Sequence, residues 1–173
     1  MISSRKIRQL LARKKGLLLD ISLGGQPQPR AVTMADLGHD PRRGPFPLPK
    51  NCVNTAVVTH VLEYLDPAHV FVWFDELWRI MQPHGVVYFS GPYGGDESHG
   101  WLSDPQHRVR IIETTFAWLD PRTPLYPLHA GVGRTPPKPW HTQQQSRVPG
   151  PQATASYNVM IQKALLKSPR PRR

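Results

Sequence analysis

Two apolar runs, residues 56–58 and 86–89, are rich in β-branched and aromatic side chains and lack polar alternation. Each predicts a strand covered on both faces. Between them Val70, Phe74, Leu77, Trp78 and Met81 recur at i, i+4, i+7, i+8 and i+11, one stripe of a helix. Asp66-Pro67 offers a capping side chain followed by a residue whose missing N–H costs nothing in a first turn. Pro83-His84-Gly85 closes the element. Strand, helix and strand make a βαβ unit, whose crossover is right-handed by rule. Such a unit lies at the centre of an open parallel sheet, where ligands bind outside the carboxyl ends of the strands. Thr59-His60 and Ser90-Gly91-Pro92-Tyr93 occupy those ends.

Residues 3–15 predict an amphipathic helix, opened by Ser3 or Ser4 and ended by Gly16. Leu17, Leu18 and Leu19 then form a buried strand that ends in Asp20, followed by a turn at Ser22-Leu23-Gly24-Gly25. Pro27 and Pro29 forbid helix in the next segment. A second short strand over 31–34 leads to Asp36, and residues 38–51 make a polar, proline-rich connection with Arg42-Arg43 at its tip. After the βαβ unit, 94–103 reads as a glycine-rich loop able to close over a pocket. A polar turn at Asp104-Pro105-Gln106-His107 and a short helix over 112–119 follow. Residues 120–151 show little but proline punctuation, and 157–163 predicts a late strand, antiparallel at the sheet edge. The expected domains are a basic N-terminal helix (1–16), an α/β domain (17–163) with a loop-rich insertion or lid (94–151), and a basic disordered tail (164–173).

Length and composition narrow this picture. A chain of 173 residues, 39% hydrophobic, supports one domain with a core. The single cysteine, Cys52, excludes an internal disulfide and a cysteine-based zinc site and suits a reducing compartment. No apolar run reaches the roughly 18 residues of a membrane span. With no secretory h-region at the N-terminus, a cytoplasmic location is expected. The net charge of +10 gathers at the two ends. Basic ends of this kind can hold nucleic acid or another polyanion by counterion release, thread into a larger assembly, or equally be solvated tails. The 8 histidines show neither an i, i+4 pair nor a cysteine partner, so no metal site is expected. Trp73, Trp78 and Trp118 fall on helical segments and read as core, whereas Trp101, Tyr126 and Trp140 fall in loops and are candidates for a substrate wall.

The candidate chemistry begins with a strand ending in Asp20, a small-residue turn through Ser22, Gly24 and Gly25, and a second strand followed by Asp36. Small residues let a ligand approach the backbone, and an acid after the second strand suits ribose hydroxyls. Together with Pro47-Leu48-Pro49, Thr59-His60-Val61-Leu62-Glu63 and Glu76-Leu77-Trp78-Arg79, this order resembles the class I S-adenosylmethionine-dependent methyltransferases. Within them it is most similar to the small predicted methyltransferases of bacteria and phage. Ser103-Asp104-Pro105-Gln106-His107, the 113–118 segment and the closing 157–163 segment extend the resemblance over roughly residues 17–163. It implies a Rossmann-like methyltransferase sheet, mostly parallel with an antiparallel C-terminal edge strand. It implies S-adenosylmethionine as cofactor and methyl transfer to an O or N nucleophile.

Carried over by position, Asp20, Ser22 and Gly24 would line the methionine and ribose part of the cofactor and Asp36 its ribose hydroxyls. Asp40 would approach the adenine, and Thr59 and His60 would lie beside the transferred methyl. His107, oriented by Asp104, and His60 are the candidate general bases. The chain departs from the pattern at Ser22, where the family has glycine, and at Pro83-His84-Gly85, where it has Pro-Gly-Gly. Residues 25–30 leave no room for the usual first crossover helix, and residues 37–39 leave none for a third strand. The helix complement is thus reduced. The Asn-Pro-Pro-Tyr signature of amino-methylating DNA enzymes is absent. The alternative function is a cofactor-free methyltransferase-like fold serving as a structural or binding subunit of a phage or nucleoprotein particle.

Overall fold

The computed structural model describes residues 16–95, 99–128, 137–149 and 155–164. The expected N-terminal helix over 3–15 and the basic tail over 165–173 lie outside them. The described strands are β1 (Leu17–Asp20), β2 (Val32–Thr33), β3 (Val53–Thr59), β4 (Met81–Pro92), β5 (Trp140–Pro149) and β6 (Ala155–Lys163). They form a six-stranded sheet in the order β2-β1-β3-β4-β6-β5. β2, β1, β3 and β4 pair in parallel, and β6 is antiparallel to both β4 and β5. The α/β class, the mostly parallel sheet and its antiparallel C-terminal addition are as expected.

The helix between β3 and β4 shows how the sequence places the core. Asp66 accepts a bond from the Ala68 amide at 2.9 Å and caps a 3-10 turn, Pro67–His69, that runs into α1 (Val70–Ile80). α1 buries Trp73, Phe74, Leu77 and Ile80 against the sheet. Each such side chain contributes about 1.5–3 kcal/mol relative to exposure. Phe74 and Phe89 of β4 meet Phe116 at centroid distances of 6.2 and 5.1 Å, tilted or edge-on as ring quadrupoles favour. The helix is shorter than its apolar stripe predicts. Met81 caps α1 with its amide on the Leu77 carbonyl and opens β4, paired to Val53. Its helical spacing was coincidental, because its side chain is buried from the strand. Pro83-His84-Gly85 therefore lies within β4, where the pairing register shifts, and does not terminate the helix.

Both predicted reductions are present. No helix lies between β1 and β2, and no strand between β2 and β3, among the described residues. The segment after Asp104 departs further from expectation. The 113–119 region is a 3-10 helix, Thr115–Leu119. Residues 140–149, expected to be irregular, form β5, so the outermost strand is β5 and the expected edge strand, β6, lies inside it. Residues 143–147 of β5 are exposed and polar, so they carry no apolar alternation to read. Their pairing with β6 makes them a strand. A short helix, α2 (His99–Leu102), falls in the expected glycine-rich loop. No described helix is long and apolar enough to cross a membrane.

Candidate functional site

The carboxyl ends of β1, β3 and β4 meet on one side of the sheet. Asp20 ends β1 and is buried at 4% exposure. Its two oxygens accept the amides of Ser22 at 3.0 Å and Gln28 at 2.8 Å, so the carboxylate folds the following loop back on itself. The amides of Ile21 and Leu23 donate to the carbonyls of Val57 and Thr59, stitching that loop to the end of β3. Ser22, Gly24 and Thr59 are thereby brought together with Asp20. Gly24 and Gly25 sit at φ 77° and 78°, a backbone that side chains rarely adopt, and a β-carbon at either would meet nothing within 4 Å. This stretch of backbone is open to close approach.

Asp36 lies one turn past β2. Its carboxylate accepts the Thr33 amide at 3.0 Å and its own amide donates to the Thr33 hydroxyl at 2.9 Å. Asp40 is drawn elsewhere. Hydrogen bonds from Arg42 at 3.0 Å hold its carboxyl below the usual range, and Arg43 lies at 3.5 Å. It lines a groove of about 1340 Å³ beside α1, together with Trp73, Arg79 and Tyr64. Asp20, Ser22, Gly24, Asp36, Thr59 and His60 do not line that groove.

The two candidate bases differ in their surroundings. His107 is 5% exposed at its side chain. Its Nδ1 donates to the Trp101 carbonyl at 2.8 Å, and its Nε2 lies 3.7 Å from Asp104. Asp104 accepts the Gln106 amide at 2.8 Å and the Tyr64 hydroxyl at 2.8 Å. These two bonds, in that order, lower the Asp104 pKa, and the same Asp104 contact pushes the Tyr64 hydroxyl up to about 12. The Asp104–His107 pair is thus a capped turn packed on Tyr64, with ring centroids 4.9 Å apart. His60 is open, at 53% side-chain exposure, and sits directly after β3 at φ 53°. Its amide donates to the Ser90 carbonyl of β4. Its Nδ1 lies 3.0 Å from Oε1 of Glu63, whose side chain is fully buried. That hydrogen bond raises the His60 pKa above 6.5, against the opposing effect of burial.

Glu63 is not singled out by the sequence as a site residue. Its only sequence signal was an acid three positions after a strand-end histidine, set between Leu62 and Leu65. Among the expected wall residues, Trp140 starts β5 and is wholly buried, so it is core and not wall. Its place in a proline-rich stretch concealed the strand. Tyr126 and Trp101 bond the carbonyls of Pro137 and Val109. Among the described residues no group of three or more His, Cys, Asp or Glu side chains is placed to hold a metal ion.

Solved structures share this architecture. A 16S rRNA (adenine(1408)-N(1))-methyltransferase from Catenulisporales acidiphilia matches at a TM-score of 0.53 and 12% identity, over 97% of this chain and 95% of its own. A protein from Bacillus halodurans C-125 assigned as a methyltransferase matches at 0.52 and 9% identity, over 93% and 98%. The fold is that of the Rossmann-like methyltransferases. A Burkholderia thailandensis 1,6-didemethyltoxoflavin-N1-methyltransferase, with bound 1,6-didemethyltoxoflavin and S-adenosylhomocysteine, matches at 0.50 and 12% identity, over 92% and 77%. The chain spans 63% and 62% of the length of two further methyltransferase structures. No protein-family model matches the chain, and no curated protein matches it in sequence. The neighbours act on varied substrates, so the fold carries the likeness and the acceptor does not follow from it.

Proposed function

We propose that this chain is an S-adenosylmethionine-dependent methyltransferase acting on an O or N nucleophile. The observation that carries the reading is the loop of Asp20 to Gly25. It is folded onto Asp20, tied to the end of β3, and open at Gly24 and Gly25 beside an exposed His60. These residues fit the cofactor. Asp20 shapes the loop through two amides and binds through it. The backbone at Gly24-Gly25 would admit the methionine and ribose portion, Asp36 would accept from ribose hydroxyls, and Thr59 would lie beside the methyl. When bound, S-adenosylmethionine supplies a methyl group on a positively charged sulfur. The chain's contribution is chiefly orientation, which supplies most of the rate in a direct displacement. The rRNA and toxoflavin neighbours, whose names place the methyl on nitrogen, support an N nucleophile as one acceptor class.

Calorimetric titration with S-adenosylhomocysteine and S-adenosylmethionine tests the reading, with micromolar binding expected. Asp36→Ala should abolish that binding and leave a folded protein by circular dichroism. Undiminished affinity in the variant would reassign the pocket.

A second reading, a cofactor-free subunit of a phage or nucleoprotein particle, draws support from the Asp20 carboxylate. Both of its oxygens are engaged by the loop itself. The net charge of +10 suits a nucleic acid neighbour in such an assembly. No heat from a folded protein at millimolar S-adenosylhomocysteine would favour it.

A further inference from the structure

Glu63 is a buried carboxylate that neither the fold nor the cofactor loop uses fully. It follows β3 in a 3-10 turn, Leu62–Tyr64. Its backbone carbonyl accepts the amides of Arg108 at 2.6 Å and Val109 at 3.1 Å, so its place is fixed from the opposite side by the segment after Asp104. Its Oε1 reaches His60, and its Oε2 is buried with no hydrogen-bond partner among the described residues. A β-carbon at Gly91 would lie 3.3 Å from Oε2, closer than side chains normally pack. Glycine at the end of β4 therefore leaves the space this carboxylate occupies. His60, for its part, holds a left-handed backbone that is strained for a non-glycine residue and of a kind that concentrates at functional sites. A buried carboxyl group whose turn is held by the segment after Asp104 and a strained, exposed imidazole converge on one hydrogen bond.

We propose that Glu63 is a positioning residue that holds His60 with its Nδ1–H toward the carboxylate and its Nε2 presented, unprotonated, to the methyl acceptor. This rests on the methyltransferase reading above and deepens it. The acceptor class is then one that must lose a proton as it is methylated, a hydroxyl or a protonated nitrogen. The proton leaves the acceptor for Nε2, imidazole becomes imidazolium, and the adjacent Glu63 carboxylate offsets the new charge. The other titratable groups on packed elements are otherwise engaged. Asp20 is bonded by its own loop, Asp104 and His107 are held in their turn with Tyr64, and Arg108 contacts Glu63 through its backbone. Glu63 is the partner that perturbs His60.

Imidazole-detected NMR of the whole chain reads the proposal without an acceptor. Wild-type His60 is expected to titrate above 6.5 and to carry its neutral proton on Nδ1. In Glu63→Gln it is expected to titrate at or below 6.5, with S-adenosylhomocysteine affinity unchanged, because Glu63 lies outside the cofactor loop. A neutral proton on Nε2 in the wild type overturns the proposal even if the variant fails to fold, as does titration indifferent to Glu63→Gln. No heat with S-adenosylhomocysteine overturns the methyltransferase reading, and the base role with it, whatever His60 does.

Discussion

The two ends of the sheet each bury charge, and they treat it differently. At the amino end, Lys163 is 4% exposed, yet its ammonium donates to Asn51 at 2.9 Å and to the Met81 carbonyl at 2.7 Å. It also lies 3.8 Å above the Trp78 ring. Nearby, Asp120 accepts from the Arg122 side chain, the Arg122 amide and the Thr142 amide. Burial alone would raise its pKa, and these hydrogen bonds more than offset that. At the carboxyl end, Glu63 keeps an oxygen without a partner among the described residues and His60 keeps a strained backbone facing solvent. A buried ionisable group with its hydrogen bonds made ties strands together. One left incomplete, next to an exposed titratable group, is where chemistry is expected.

Substitutions should separate the two ends, with the larger stability effects at the amino end. Asp120→Ala strands the Arg122 and Thr142 donors and should lower unfolding free energy by about 3 kcal/mol, read from the urea midpoint. A change under about 1 kcal/mol would place the anchor of β5 elsewhere.

Lys163 comes next. Burial depresses its pKa from 10.5 to about 8. Between those values the unfolded chain binds more protons than the folded one, so stability should rise with pH across that window. The gain is about 3 kcal/mol at 1.36 kcal/mol per pH unit. Lys163→Met, which keeps the stem over Trp78, should flatten the profile. A wild-type profile already flat from pH 8 to 10.5 would contradict the assignment.

The carboxyl end should behave in the opposite sense. His60→Gly relieves the left-handed backbone and should stabilise the fold by about 1 kcal/mol at pH 8 by thermal melting, while removing the proposed base. A lower melting temperature would show that φ 53° is not strained there. The smallest effect is the His60–Glu63 pair itself. Because the folded His60 pKa is raised, its contribution is complete below pH 6.5 and is lost as pH rises through the folded value. With one partner exposed it is worth on the order of a few tenths of a kcal/mol, and Glu63→Gln should erase that pH dependence.

Much of the parallel half was legible in the chain. β1, β3 and β4 are short apolar runs, α1 carries a buried stripe, and the missing first crossover helix follows from the two prolines and the short spacing before β2. In the C-terminal half β6 was legible and β5 was not. β5 is polar and proline-flanked, and becomes a strand through its ladder with β6 and the Asp120 bond to Thr142. Trp140 looked like a loop aromatic because nothing local marks a strand start, yet it is core.

The site divides in the same way. Asp20, the Gly24-Gly25 turn, Asp36, His60 and the Asp104–His107 pair were nameable from residue type and order, because strand ends and small-residue turns are local properties. Which histidine faces solvent, which carboxylate is buried beside it, and where Asp40 points were decided by contacts between distant segments. His107 is enclosed by Tyr64 and Trp101, Glu63 is pinned by the Arg108 and Val109 amides, and Asp40 is claimed by Arg42. The sequence by itself determined the order of the parallel strands along the chain and the candidate groups. Burial and hydrogen-bond partnership, which set charge and reactivity, arise only when segments far apart in the chain are packed together.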